Sequence, residues 1–230
     1  MTPERERILI WDWPTRLFHW LLVVCVIGAV VTVKLGGGWM TWHERFGLTI
    51  LGLLVFRLVW GFVGSTHARF TSFFPTPSRL LAWFRGRWDR AGHTPLGALS
   101  VLTMLLAFAF QATTGLFADD DIAFSGPLRR AVDSAMASRL TGWHQQMEWV
   151  IYGLVSLHIA AVAFYSLILK KPLIRPMITG RSLREQHDQS ARGGRLPALL
   201  FALAVTAAVL WMANGGLLAP PPEPSPDLGW

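Results

Sequence analysis

The stretch that decides the fold covers residues 143–158 and reads WHQQMEWVIYGLVSLH. Histidines stand near its start and at its end, His144 and His158, and most side chains from Trp149 onward are apolar. Along an α-helix, fourteen residues rise by about 21 Å and rotate to a point about 40° short of four full turns. The two imidazoles are therefore expected on one face of a single long helix, far apart along its axis.

This stretch belongs to one of five apolar runs, each near the roughly 20 residues that a helix needs to cross a bilayer. The chain of 230 residues is 52% hydrophobic and only 15% charged, and its mean hydropathy is +0.39. Soluble domains carry about a quarter charged residues, so the composition argues against a cytosolic globular enzyme. The sequence predicts an all-α membrane protein with spans at Leu17–Leu35, Phe46–Val63, Leu96–Ala118, Trp149–Leu169 and Leu196–Ala213.

The basic residues are distributed unevenly over the connections between these runs. Of 21 Lys and Arg, fifteen lie in the N-terminal segment and in the connections 65–94 and 170–195, whereas five lie on the opposite side. Cytoplasmic loops of membrane proteins carry an excess of positive charge. We therefore expect the N-terminus in the cytoplasm and the proline-rich tail Ala219–Trp230 outside. The net charge of +7 follows this pattern, so the expected partner of the basic loops is membrane lipid and not nucleic acid.

Three connections carry weaker signals. Residues 77–88 predict a basic amphipathic helix lying on the inner leaflet, and residues 127–140 predict a short outer helix. Residues 170–195 are polar, basic and glycine-containing, and they predict a loop with little regular structure.

Under this topology, four of the seven histidines form two pairs, and the two members of each pair lie at the same depth in the membrane. His19 and His158 lie near the inner leaflet, and His43 and His144 lie near the outer leaflet. Porphyrin iron has one axial position on each side of the ring, and two neutral imidazoles from facing helices can fill both. The pairs therefore predict two bound haems that pass electrons, because filled axial positions leave no site for O₂. The single cysteine, Cys25, excludes a Cys-x-x-Cys-His haem attachment and Cys-ligated iron–sulfur clusters within this sequence.

Arg57 lies within the second span, where a charged side chain costs roughly 2.5–3.5 kcal/mol and usually has a partner. It follows His43 by fourteen residues, so it shares that helix face at the inner leaflet. A propionate of the inner haem is one candidate anion, and Arg16 and Arg45 could bind haem propionates similarly. Snorkelling of Arg57 to lipid phosphate is the other interpretation.

The remaining histidines have no depth-matched partner. His93, at the inner start of the third span, is interpreted as a structural residue or, alternatively, as part of a quinone pocket. His67 and His187 lie in basic loops and are expected to be solvated. The acidic run Asp119–Asp121 is interpreted as a solvated end of the third span, or as a docking patch for a soluble redox partner outside.

Several short motifs resemble the bacterial cytochrome b561 and nickel–iron hydrogenase b-type cytochrome family. They are WDWPTRLFHW at residues 11–20, GHTPL at 92–96, TGLF at 114–117, Trp143-His144 with His158 fourteen residues on, and PMITG at 176–180. The resemblance covers about residues 8–181. It implies a four-helix membrane bundle with two b-type haems, ligated by His19 with His158 and by His43 with His144. It also implies electron exchange between the membrane quinone pool and a hydrogenase, a c-type cytochrome or another dehydrogenase.

The sequence as a whole predicts a diheme domain over residues 8–181, followed by residues 182–230 with a loop, a fifth span and the tail. We expect a multi-pass cytochrome of the bacterial inner membrane, with two haem b, quinone as substrate and a redox partner at the outer, periplasmic face. One alternative, found among small relatives of the family, is a superoxide:quinone oxidoreductase in which Lys34 and Arg45 attract the anion. The other is a non-redox transporter or scaffold whose histidines are incidental.

Overall fold

A computed structural model describes residues 5–120, 122, 124–185 and 189–218 of the chain. Five helices in this part are long and apolar enough to cross a membrane: α1, α2, α5, α6 and α8. The elements in chain order are β1 Arg5–Leu9, α1 Trp13–Leu35, α2 Met40–Val63, α3 Phe70–Phe73, α4 Pro77–Phe84, α5 Pro95–Gly115, α6 Ser134–Ala163, α7 Ile174–Thr179, β2 Arg181–Glu185 and α8 Leu196–Ala213.

Every predicted span overlaps one of the five long helices, so the predicted transmembrane helical bundle is confirmed. The fourth span is longer than predicted, because α6 begins at Ser134 and continues through a π-helical turn, Phe164–Ile168. Asp133 starts α6 by accepting a hydrogen bond from the Met136 backbone N–H at 2.8 Å. The separate outer helix predicted over 127–140 is therefore wrong: the segment holds a short 3₁₀ turn, Arg129–Ala131, and the first turns of α6.

Side-chain caps followed by proline define where three other helices begin. Asp12 accepts from Thr15 N at 2.8 Å at the start of α1, and Thr94 accepts from Gly97 N at 3.1 Å at the start of α5. Thr76 accepts from Arg79 N at 3.4 Å at the start of α4, which lies within the helix predicted over 77–88. A proline follows each cap, where its missing N–H costs nothing and its fixed φ favours the first helical turn.

Helix α2 forms the centre of the bundle and packs against α1, α5 and α8, whereas α6 packs along α5. Its buried face includes Leu54, Phe56 and Trp60, and the rings of Phe56 and Trp60 stack with centroids 5.7 Å apart. The indole N–H of Trp60 donates to Asp12 Oδ2 at 3.0 Å. One carboxylate therefore caps α1 and also joins the start of α1 to the end of α2.

The N-terminal face, meaning the end of the bundle that carries β1, is closed by segments distant in sequence. Strands β1 and β2 pair antiparallel, from Arg5 opposite Glu185 to Leu9 opposite Arg181. Gly180, with φ of 81°, ends α7 and accepts hydrogen bonds from Ile10 N at 2.8 Å and Trp11 N at 3.1 Å. The prediction of little regular structure over 170–195 is therefore wrong. The sheet partner of β2 lies at the other end of the chain, where local sequence patterns give no signal.

Three sequence predictions lie outside the described residues: the solvated His187, the last residue of the Asp119–Asp121 run, and the proline-rich tail Ala219–Trp230.

Replacing Asp12 with Ala removes the cap of α1 and leaves the buried indole N–H of Trp60 without its acceptor. We expect the free energy of unfolding in detergent to fall by about 2–4 kcal/mol, about 1 from the cap and about 1–3 from the indole. The matched variant Asp133→Ala removes only the cap of α6 and should cost about 0.5–2 kcal/mol. Equal losses in the two variants, measured by thermal unfolding, would show that the bond from Trp60 to Asp12 contributes nothing.

Candidate functional site

The structure brings His19 of α1 and His158 of α6 face to face on the side of the N-terminal face. Their ring centroids lie 6.5 Å apart, with 53° between the ring planes. Both side chains are half-buried. The Nδ1 atom of His19 is buried and has no hydrogen-bond partner within the described part of the chain. We call these two residues the inner pair.

His43 of α2 and His144 of α6 form a second pair toward the opposite face, the outer pair. Their ring centroids are 6.1 Å apart and the rings stand at 85° to each other. Nδ1 of His43 lies 2.9 Å from the carbonyl oxygen of Ala29, and Nδ1 of His144 lies 2.9 Å from that of Gln111. A carbonyl oxygen only accepts, so both Nδ1 atoms carry the proton. Nε2 of each ring therefore keeps its lone pair for a ligand, and in His144 this atom lies 3.4 Å from the side-chain amide nitrogen of Gln111, which a ligand would displace.

The spacing of both pairs fits a metal ion bound between two imidazoles. A bond from metal to imidazole nitrogen is about 2.0–2.1 Å, which places the centroids of two rings on opposite sides of one ion about 6.3 Å apart. Among the described residues no group of three or more His, Cys, Asp or Glu side chains could hold a metal ion. Two facing imidazoles at this spacing fit a cofactor that brings its other metal ligands with it, as a porphyrin does.

Backbone carbonyls of α1 and α5 and a close approach at Gly115 support the outer pair, and sequence reasoning missed these three supports. A Cβ atom on Gly115 would lie 2.8 Å from His144 Cε1, so glycine at this position lets the imidazole lie close against α5. The carbonyls of Ala29 and Gln111 left no signal in the sequence, because every residue has a carbonyl group. The hydroxyl of Thr114 donates to Phe110 O at 2.9 Å, a bond to its own helix.

The three predicted arginines lie in different surroundings. Arg57 is 2% exposed, its guanidinium carbon is 5.0 Å from the ring centroid of Phe70, and its Nη1 has no hydrogen-bond partner among the described residues. Arg16 donates from Nη1 to Ile178 O at 2.5 Å. Its Nε is buried and has no hydrogen-bond partner among the described residues. Arg45 is exposed and lies over the Trp42 ring, 4.8 Å from its centroid.

The other described histidines pair with no second imidazole at ligand distance. His93 packs between Trp11 and Phe73, with centroid distances of 4.6 and 4.3 Å. Burial, and to a smaller extent the positive charges of Arg57 and the nearby His67, together lower the pKa of His93 to about 3. His67 is half-buried and partly open to solvent, and its Nε2 donates to Gln189 O at 2.9 Å.

Lys34 forms an ion pair with Glu148 at 2.5 Å, near the outer pair. The hydroxyl of Tyr152 donates to the same carboxylate oxygen at 2.5 Å. Glu148 follows His144 by one helical turn, so this ion pair joins α1 to α6 beside the outer pair. The positive charge of Lys34 is therefore largely neutralised.

Comparison with known proteins gives a consistent result over most of the chain. A family model described as prokaryotic cytochrome b561 matches residues 10–180. The probable Ni/Fe-hydrogenase 1 B-type cytochrome subunit of Escherichia coli (strain K12) is 22% identical over 210 residues, covering 74% of this chain and 88% of that protein. The probable Ni/Fe-hydrogenase B-type cytochrome subunits of Azotobacter vinelandii and Rhizobium leguminosarum bv. viciae are each 23% identical, covering 77% and 80% of this chain and 89% and 92% of those proteins. No solved structure matches the chain.

The lowered pKa of His93 predicts a pH dependence of stability. As the pH falls from about 6.5 toward 3, the unfolded chain binds a proton at this residue and the folded chain does not, so acid destabilises the fold. His93→Phe keeps the ring packing against Trp11 and Phe73 and removes the titration. Between about pH 7 and pH 4 the variant should lose about 3 kcal/mol less stability than the wild type. Parallel losses in both proteins, followed by thermal unfolding, would contradict this assignment.

Proposed function

We propose that this chain, which belongs to the prokaryotic cytochrome b561 family, is a diheme cytochrome that carries electrons across the membrane between quinone and a redox partner protein. The family and the five long apolar helices make it a multi-pass b-type membrane cytochrome of bacterial electron transfer. The observation that supports two haems is the presence of two facing imidazole pairs at different depths of one bundle.

The four imidazoles are the proposed ligands: His19 with His158 for one haem and His43 with His144 for the other. Each bound haem would supply a reversible one-electron couple with both axial positions filled. The carbonyls of Ala29 and Gln111 fix the tautomer and orientation of the outer pair. Since a rise of about 21 Å along α6 separates its two histidines, the pairs lie near opposite leaflets.

The buried arginines on the side of the inner pair are proposed to bind the carboxylates of the inner haem. Arg57 and Arg16 each have a buried nitrogen without a partner in the described residues, and a buried donor of this kind costs about 1–3 kcal/mol if it stays unpaired. A propionate would supply the missing acceptor and would add a negative charge to that of Asp12, which already acts on Arg57. Arg45 would serve the outer haem similarly only after leaving the ring of Trp42.

We place the N-terminal face in the cytoplasm, because fifteen of the 21 Lys and Arg belong to that side. Quinone is the proposed substrate near one leaflet, and the redox partner docks at the opposite, periplasmic face. The relatives are named as subunits of Ni/Fe-hydrogenases, which supports a dehydrogenase of this kind as partner, with a c-type cytochrome as the other candidate.

Two alternatives have less support. Oxidation of superoxide would need attractive positive charge near the outer pair, but Lys34 is neutralised by Glu148 and Arg45 stacks on Trp42. A transporter or scaffold with incidental histidines does not account for two imidazole pairs at the spacing of bis-imidazole metal ligation.

The haem content of variants tests the ligand assignment. His158→Ala is expected to lower the haem b content from two per chain to one, because it removes a ligand of the inner haem and leaves the outer pair intact. His144→Ala should remove the other haem, and His67→Ala, outside both pairs, should change nothing. Pyridine haemochrome analysis and redox titration of the purified proteins measure the result. Two haems with unchanged midpoint potentials in His158→Ala would refute the assignment.

Arg57 offers an electrostatic test. Arg57→Gln removes a buried positive charge near the inner haem and should lower its midpoint potential by roughly 50–100 mV, because the reduced haem loses electrostatic stabilisation. Arg57→Lys retains the charge and should restore most of the potential. Arg45→Gln, at an exposed position, should leave the inner haem unchanged. A shift as large in Arg45→Gln as in Arg57→Gln would argue against a specific role for Arg57.

A further inference from the structure

A cavity of about 430 Å³ lies on the N-terminal face, away from the imidazole pairs. It is formed by α4 and the segment that follows it, and its polar lining comes from Ser78, Arg79, Arg87, Trp88, Asp89 and Arg90. Three guanidinium groups thus face one carboxylate, so the lining is positively charged. None of these residues takes part in the proposed haem sites.

Two of the arginines are held in place. Arg79 Nη1 donates to Phe74 O at 2.9 Å and to Ser72 O at 3.3 Å, which fixes its side chain at the base of α4. Arg90 lies over the ring of Trp88, with its guanidinium carbon 5.5 Å from the ring centroid. A positive site that is already ordered loses less conformational entropy when it binds an anion.

Trp88 provides the second observation. Its Nε1 is buried and has no hydrogen-bond partner in the described part of the chain. An indole N–H can only donate, and leaving it buried without an acceptor costs about 1–3 kcal/mol. Trp88 therefore places an unpaired donor within the wall of the cavity and not at its surface, so the accessible donors of the lining are the guanidinium groups, which suit the oxygens of a phosphate.

The surroundings of the cavity indicate that its ligand also has an apolar part. Helix α4 lies in the connection between the transmembrane helices α2 and α5, and its side chains Leu81 and Phe84 are 48% and 70% exposed. Exposed apolar side chains beside basic residues are typical of a helix that lies in the membrane interface. Acyl chains could cover Leu81 and Phe84 while the head group occupies the cavity.

We propose that this cavity binds the phosphodiester head group of an anionic phospholipid, with Arg79, Arg87 and Arg90 as donors to the phosphate oxygens. The lipid would fix α4 against the membrane surface. The proposal does not depend on the number of haems or on the redox partner.

Native mass spectrometry of the haem-loaded protein in detergent tests the proposal, with phosphatidylglycerol and phosphatidylcholine as probes. The wild type should retain one phosphatidylglycerol about tenfold more strongly than phosphatidylcholine. Arg87→Gln and Arg90→Gln should each reduce that retention about tenfold, since a hydrogen bond to a charged group contributes roughly 1.5 kcal/mol. Arg139→Gln, an exposed arginine on the opposite face, is the matched control and should bind as the wild type does.

Unchanged haem spectra in the variants will show that they are folded. Equal retention of the two lipids by the wild type, or equal retention of phosphatidylglycerol by wild type and both variants, would overturn the proposal. A third arm adds millimolar inorganic phosphate. Complete displacement of the lipid would identify a site for small anions and would also overturn the lipid assignment, whereas persistence of the lipid would support it.

Discussion

The structure depends on the constraint that one helix must present two imidazoles to two different partners at two depths. Helix α6 satisfies it because His144 and His158 stand on one face. Helices α1 and α2 supply the partners from opposite ends, since the chain reverses within a few residues between them. Gly36 and Gly37, with φ of 64° and 54°, adopt the left-handed backbone that this short reversal requires. His19 and His43 therefore reach the inner and outer halves of the same bundle.

The helical spans and the pairing of the four histidines could be predicted because both depend on local patterns. Apolar length predicts a membrane helix, and helical periodicity places two residues on one face. The same reasoning failed for β2, whose pairing with β1 joins Leu9 to Arg181 across most of the sequence. It also missed that Asp12, besides capping α1, accepts a hydrogen bond from the indole of Trp60, because this bond forms only when α1 and α2 pack together.

The groups that orient the imidazoles of the outer pair could not be identified from the sequence. The groups that fix the outer pair are backbone carbonyls, and their position depends on how α1 and α5 approach the histidines. Gly115 permits that approach because it has no side chain, and although it belongs to the TGLF motif, the sequence does not show that His144 lies against it. A metal ligand can be inferred from its residue type, whereas the group that orients it follows from packing.

The distribution of charge around the two pairs is asymmetric, and under the proposed function this asymmetry affects the haem potentials. The two ion pairs of the described residues, Lys34 with Glu148 and Arg129 with Asp119, both lie toward the face opposite the N-terminus. On the other side, Arg57 is buried without an ion-pair partner in the same part of the chain. Asp12 lies near enough to act on this charge but forms no direct ion pair with it, and the positive charge that remains in a medium of low dielectric favours the reduced state of a nearby haem. We therefore expect the inner haem to hold an electron more tightly than the outer one, which favours electron movement from the periplasmic partner toward the cytoplasmic leaflet.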